Sequence, residues 1–463
     1  GVCLEIQAGQ DCSHFDACEC QSPGHVGASC VEAGFCAPAL GEPQTESFGL
    51  RVSKGYGTRD YAAVRLTVIS RSPEAPTGFF DYSAAFKFRW TGNYVHTAVK
   101  QVTPGRATAF AIGSHNVSIT IPRAGAGVAG VLLADPCVRW ASITSLISCE
   151  YAEKFNTAER TPGLLNAFVA SKGIDYWGIL GDNFYDRTGE TTSEFFSKLS
   201  QGVKETPLVT VPGNHDYWVL GSPQFGFSMD QCGNGHMQYY GQDSEAASHV
   251  MPGEHTPPFN YSIDPSAGHI LLGCNKASPD NSRFFHQMGN LGIIGQSGAF
   301  TLDEYMPFMR TACDWLASTA GIEVGVIVGH WDAGGMGAEK NMDVPDFFDQ
   351  MAKLPGCDAL STVGNLKFFM GHTHCNVPHP HGHNDTGFMV AGFGMSGCGN
   401  YGMPVFDTTE GRNRVFYFDA SSDAKYKAVT ACVSTKGWRN CLALAETWLD
   451  QPRTAVAATP AWV

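Results

Sequence analysis

Apolar and polar positions follow two different rules along this chain. Between residues 47 and 123 the apolar residues come in short β-prone runs, at 61–69, 84–90, 94–102, 107–112 and 117–121. Turn signals at Ser72-Pro73, Thr91-Gly92 and Pro104-Gly105 separate them. No helical period competes, so this stretch predicts an all-β sandwich. A glycine-rich stretch at 124–130 marks a boundary. Beyond it, strands predicted at 130–134, 176–180, 208–211, 324–328, 366–370, 388–392, 414–419 and 427–433 alternate with amphipathic helices at 161–171, 192–203, 301–320 and 344–354. The helix at 301–320 sets Leu302, Tyr305, Met306, Met309, Cys313 and Leu316 at helical spacing, and Pro307 predicts a kink or a later start. Alternating strands and helices give a mixed α/β domain. Residues 221–265 form a long glycine-rich, aromatic loop, expected to overhang a site.

Four of the apolar runs stop at residues that bind metals. The stops read GDNFYD at 181–186, PGNHD at 212–216, VGHWD at 328–332 and GHTH at 371–374. A strand ending on a polar ligand delivers it to one edge of a sheet. Four such strands can gather Asp, Asn, Tyr and three His, oxygen and nitrogen donors suited to divalent or trivalent first-row metals. His372 and His374 alternate, which on a strand places both on one side.

The chain has 463 residues, enough for a large catalytic domain and at least one smaller module. Its formal net charge is -14 and no block of Lys or Arg occurs, which argues against nucleic acid or a membrane surface as partner. Attraction of an anionic substrate then has to be local, through metal ions. No apolar run reaches the length of a membrane span. The 16 cysteines predict disulfides and an oxidising compartment. Sequons at Asn116, Asn260 and Asn384 agree, predicting N-glycans on a secreted protein. The start at Gly-Val-Cys is what signal removal would leave. Cysteines 3, 12, 18, 20, 30 and 36 crowd the first residues, and CECQSPGHVGASC resembles the end of an epidermal-growth-factor-like module. The expected division is a cysteine-rich segment at 1–40, the all-β sandwich at 41–125 and a catalytic domain at 126–463.

GDNFY, GNHD, IVGH and GHTH, in this order, resemble the metallophosphoesterase superfamily, and within it the purple acid phosphatases, which carry Tyr three residues after the Asp. The resemblance runs from about Val131 to Asn400. It implies an α/β fold, a metallophosphoesterase β-sandwich flanked by helices. It implies that Asp182 bridges two metals, that Asp135, Tyr185 and His374 hold Fe(III), and that Asn214, His330 and His372 hold a divalent Fe, Zn or Mn. His215 would sit beside the substrate phosphate. A carboxylate can bridge two cations, and a phenolate is a hard anionic donor suited to Fe(III).

The family usually places a His shortly after the ligand at 330, to protonate the leaving group. Here the chain reads WDAGGMGAEK. Asp332 is one substitute; His379, His381 and His383 in HPHGH are others. Cys375 could pair with Cys398 to pin the ligand loop, Cys137 with Cys149 and Cys432 with Cys441; Cys313–Cys357 and Cys232–Cys274 complete the expected pairs. The reading that follows is a secreted phosphatase hydrolysing phosphate monoesters with a metal-bound hydroxide. The alternative is an extracellular structural or adhesive glycoprotein on the same fold, self-associating or bound to an extracellular partner.

Overall fold

The computed structural model describes residues 49–54, 60–70, 94–138, 152–171, 173–185, 190–217, 283–332, 342–379, 387–389 and 398–454, with short pieces at 19–22, 25–31, 35–36, 72, 74–78, 86–87 and 149. The loop expected at 221–265, the expected Cys232–Cys274 pair, His381, His383, Asn260, Asn384 and most of the cysteine-rich segment lie outside the described residues.

Strands β1 (Glu19–Ser22), β2 (His25–Val31) and β3 (Phe35–Cys36) form a small antiparallel sheet. Next come β4 (Gly49–Ser53), β5 (Ala63–Ser70), β6 (Phe86–Lys87) and β7 (Tyr94–Gln101), ordered β4-β5-β7-β6, and the hairpin of β8 (Thr108–Ile112) with β9 (His115–Ile119). Leu50, Val52, Val64, Leu66, Val68, Ala98, Ile112, Val117 and Ile119 share one core between them. These are alternate residues of each strand, as the period of two requires.

Two six-stranded sheets follow. The first contains β10 (Ala129–Leu133), β11 (Tyr176–Leu180) and β12 (Leu208–Val211). The second contains β13 (Phe284–Met288), β14 (Leu291–Gly295), β15 (Val324–Gly329), β16 (Leu366–Met370), β17 (Val377–His379) and β18 (Gly387–Met389). Strands β19 (Gly402–Asp407), β20 (Arg412–Asp419) and β21 (Ala445–Pro452) return to the first sheet, giving it the order β12-β11-β10-β19-β20-β21. The second is ordered β13-β14-β15-β16-β18-β17. Within them β10–β11–β12 and β14–β15–β16–β18 run parallel. Parallel strands are covered on both faces, which explains their nearly unbroken apolar sequences.

Alternation sorts each strand between three layers. Leu132, Tyr176, Leu180, Val326, Val328 and Phe369 face one another between the sheets. Val131, Leu133, Trp177 and Ile179 face outward from the first sheet. They meet Leu164, Leu165 and Phe168 of helix α2 (Thr157–Ala170) and Phe195 and Phe196 of helix α3 (Glu190–Ser197). A short helix, α1 (Ala152–Phe155), precedes them, and α4 (Gln201–Glu205) and α5 (Asn214–Tyr217) follow. Ile327, Phe368 and Met370 face outward from the second sheet. They pack on α6 (Leu302–Ser318) and α7 (Val344–Met351); α8 (Asp358–Thr362) lies beyond. The chain is thus mixed α/β, with helices outside a pair of packed sheets.

Several expectations need correction. The helix expected at 192–203 is two, α3 and α4, with a break at 198–200. Helix α6 runs through Pro307 without interruption. Its start is set by Thr301, whose backbone N–H donates to Glu304 Oε2 (2.7 Å). The strand expected at 427–433 is part of a helix, α9 (Asp423–Lys436). Ser422 Oγ accepts from the Lys425 N–H, Asp423 sits in the first turn, and Gly437 follows the last turn at φ 79°. Only Val429 and Val433, one turn apart, are buried, so the alternation in KAVTACV was incidental.

Candidate metal centre

All the strands that carry the sequence motifs point their C-terminal ends the same way. Asp135 follows β10, Asp182 and Tyr185 follow β11, Asn214 follows β12, His330 follows β15, and His372 and His374 follow β16. The crevice outside the carboxyl ends of parallel strands is where such sheets bind ligands. Here two sheets contribute to one crevice.

The first cluster joins Asp135, Tyr185 and His374. The Tyr185 hydroxyl donates to Asp135 Oδ1 (3.0 Å) and lies 3.2 Å from His374 Nε2. His374 Nε2 is 3.3 Å from Asp135 Oδ1. The second cluster joins Asn214, His330 and His372. Asn214 Oδ1 is 3.2 Å from His330 Nε2 and 3.2 Å from His372 Nδ1, and the two imidazole nitrogens are 3.3 Å apart. Asp182 reaches both: its Oδ2 is 3.2 Å from His330 Nε2, and its carboxylate also faces the Tyr185 phenol. The clusters meet where His330 Nε2 comes 3.8 Å from Asp135 Oδ1.

These spacings fit cations. Donors held about 2.0–2.2 Å from one metal ion lie roughly 3–3.5 Å from each other. The tautomer of His330 fits as well. Its Nδ1 lies 2.8 Å from the Leu180 carbonyl, which can only accept, so Nδ1 carries the proton and Nε2 presents a lone pair. That lone pair faces the oxygens of Asn214 and Asp182, an arrangement only a cation or an extra proton relieves. Asp182, His330 and His372 alone offer three ligand atoms within 4.8 Å of one another.

The electrostatics show the same demand for positive charge. Burial favours the neutral form of His330, but Asp182 and Asp135 outweigh it and push the imidazole up to about 9. Burial would raise the Asp182 carboxyl, yet His330, His215 and His372 hold it well below the usual range. His372 is pushed down to about 4 by burial and by His330. Burial would also lower His374, and Asp135 raises it. The Tyr185 phenol is raised far above its ordinary value by burial and by Asp135 and Asp182. It becomes a phenolate donor only where a cation opposes those carboxylates.

Backbone geometry builds the crevice. Eight non-glycine residues have positive φ among the described residues, and six of them, Asp135, Asp182, Phe184, Tyr185, His372 and His374, belong to the ligand loops. Such conformations cost about 1–3 kcal/mol each and persist where the surroundings enforce them. His372 and His374 are therefore not on a strand, contrary to the alternation argument. The strand stops at Met370, and left-handed turns at φ 72° and 56° send the two rings to different clusters.

Two residues quoted in the motifs, but given no role from sequence, tie the loops together. Asp216 accepts from the backbone N–H of Asn183 (2.9 Å) and of Gly213 (2.8 Å), and from Asn183 Nδ2 (2.7 Å). Burial and the nearby Asp182 push the Asp216 carboxyl up to about 7. His215 lies at the rim, half-buried. Its backbone N–H donates to Asp182 Oδ1 (2.8 Å) and its ring lies 5.1 Å from that of Tyr185. Asp332 Oδ1 stands 3.9 Å from His379 Nε2 on the edge strand β17.

Residues 155–376 match the family model of the calcineurin-like phosphoesterases. Over those residues the chain carries a calcineurin-like metallophosphoesterase domain; Asp135 precedes it. None of the curated proteins matches the chain. Among solved structures it is similar to a purple acid phosphatase from yellow lupin (Lupinus luteus) seeds, at 12% identity over 81% of this chain and 72% of that one, with a TM-score of 0.47. It is also similar to a dimetal phosphatase from Danio rerio, at 12% identity over 64% of this chain and 96% of that one, with a TM-score of 0.34.

Proposed function

We propose that this protein is a secreted binuclear metal-dependent phosphatase that hydrolyses phosphate monoesters. The observation that carries the reading is the pair of donor clusters flanking Asp182, one on each side of a single carboxylate. Asp135, Tyr185 and His374 supply two potentially anionic oxygens and suit a trivalent ion such as Fe(III). Asn214, His330 and His372 are neutral donors and suit a divalent Fe, Zn or Mn. Two ions bound there would polarise the phosphoryl oxygens and activate a water for in-line attack.

The chain's own groups do the rest. Asp182 fixes the spacing of the two clusters. Gly213, Asn183 and Asp216 hold Asn214 and Asp182 in register. His215 at the rim would donate to a phosphate oxygen. Asp332, beside His379, is the group assigned to the leaving oxygen. Disulfides at Cys137–Cys149, Cys313–Cys357, Cys375–Cys398 and Cys432–Cys441 support an oxidising compartment. Among the described residues no helix is long and apolar enough to cross a membrane. Asn116 is exposed on β9 and open to glycosylation.

The test compares hydrolysis of an aryl phosphate monoester and the corresponding diester by the metal-loaded protein. The reading expects the monoester to be the better substrate by at least about tenfold. Faster cleavage of the diester would reassign the substrate class.

A further inference from the structure

We infer that two disulfides, Cys137–Cys149 and Cys375–Cys398, are positioning elements for the first metal's ligands, and that Asn214 and His330 of the second set are held without them. The inference rests on the metal-centre reading above.

Each first-cluster ligand is tied to one of these bonds. Asp135 lies two residues before Cys137, whose N–H donates to the Asp135 carbonyl (2.7 Å). Cys137 and Cys149 are buried with Ala152, and Tyr185 packs against this group. The disulfide is itself anchored on the helical layer: Thr157 Oγ1 donates to the Cys137 carbonyl (2.9 Å), and the Ala152 N–H donates to that of Cys149 (2.9 Å). His374 directly precedes Cys375. Beside that bond, Asn376 N–H donates to Asn400 Oδ1 (3.1 Å) and Asn400 Nδ2 donates back to the Asn376 carbonyl (2.8 Å). Asp135, Tyr185 and His374 all sit at positive φ, near 50–56°. A loop held in that region relaxes unless something restrains it.

The second cluster is held differently. His330 leans on the Leu180 carbonyl, and Asn214 follows the Gly213–Asp216 clamp. His372 is the one member coupled to the first cluster, through its N–H to Asp135 Oδ2 (3.0 Å), so the second set keeps Asn214 and His330 as its independent anchors. Two further disulfides among the described residues brace helices. Cys313–Cys357 ties α6 to the start of α8, and Cys432–Cys441 ties α9 to the segment behind it.

The test measures zinc binding to the oxidised full chain by titration and elemental analysis. Wild type is compared with Cys375→Ser/Cys398→Ser and Cys137→Ser/Cys149→Ser, and with Cys432→Ser/Cys441→Ser as the remote control. Wild type and control should bind two zinc ions. Each ligand-loop variant should keep one tightly and bind the other about ten- to a hundredfold more weakly, the range for groups that orient metal ligands.

Folded wild type treated with a phosphine gives a second route that needs no variant. The phosphine takes oxygen from water and becomes its oxide, while the disulfide receives two electrons and two protons and becomes two thiols. Cys398 is exposed whereas Cys137 and Cys149 are buried, so Cys375–Cys398 should open first, with selective weakening of one zinc. Equal weakening of both zinc ions, or of neither, overturns the inference. Oxidised wild type that binds no metal overturns the metal-centre reading instead, before any cysteine is touched.

Discussion

His330 donates from Nδ1 to the carbonyl of Leu180 across 2.8 Å, so the end of a strand in one sheet sets the tautomer of a ligand carried by the other. The packing of the two sheets therefore helps set the geometry of the candidate metal centre. His330→Ala removes the donor that meets Asp182, Asn214 and His372 together. Its metal affinity should fall by at least about a hundredfold, since even an outer group can cost that much. Titration with zinc checks this, with the circular dichroism spectrum unchanged.

Gly213 is required by space. A Cβ there would lie 2.1 Å from Asp182 Oδ1 and 2.2 Å from the Asp182 backbone nitrogen. The backbone cannot yield without moving the Asp182 carboxylate. Gly213→Ala should destabilise the fold by about 1–3 kcal/mol and lower metal occupancy, read from urea midpoints and elemental analysis.

Asp216 collects N–H donors from two ligand loops. Asp216→Ala leaves the N–H groups of Asn183 and Gly213 without this acceptor, at a cost of about 2–4 kcal/mol. The second metal should bind about tenfold more weakly. An unchanged urea midpoint would show that the loops hold their register without the clamp.

The loops expose what the sequence could and could not announce. Apolar runs ending at Asp182, Asn214, His330 and His372 were legible because parallel strands are apolar on both faces and stop abruptly. The two-sheet layering was expected only from the resemblance to the metallophosphoesterases, because runs apolar on both faces do not say which face meets the other sheet. The left-handed turns at Asp135, Tyr185 and His374 were not legible, because those residue types carry no left-handed signature as strong as glycine's. The Asp216–Asn183 clamp was hidden because its partners lie 33 residues apart. Helix α9 was misread because a short apolar run fits both periods, and the Ser422 cap was the signal to weigh.

Away from the centre, His286 offers a pH test. It is fully buried in β13, its ring stacked on Phe284 at 5.3 Å, and neither ring nitrogen has a hydrogen-bond partner among the described residues. Burial, then the Lys54 ammonium, pushes it down to about 3. The unfolded chain takes this proton near pH 6.5, so below that pH the unfolded state binds more protons and stability falls as pH falls. The loss attributable to His286 should reach about 2–3 kcal/mol between pH 7 and pH 4.5. His286→Phe should flatten the stability–pH curve in that window; equal slopes in both proteins would contradict the assignment.

The most direct test of the account is phosphate release from an aryl phosphate by metal-loaded wild type and by Asn214→Ala, across pH 4–8. Wild type should turn over, and the variant, with one donor removed from the second cluster, should fall by at least about a hundredfold. No turnover in a wild type that demonstrably holds both metals, or equal turnover in the two proteins, would contradict it.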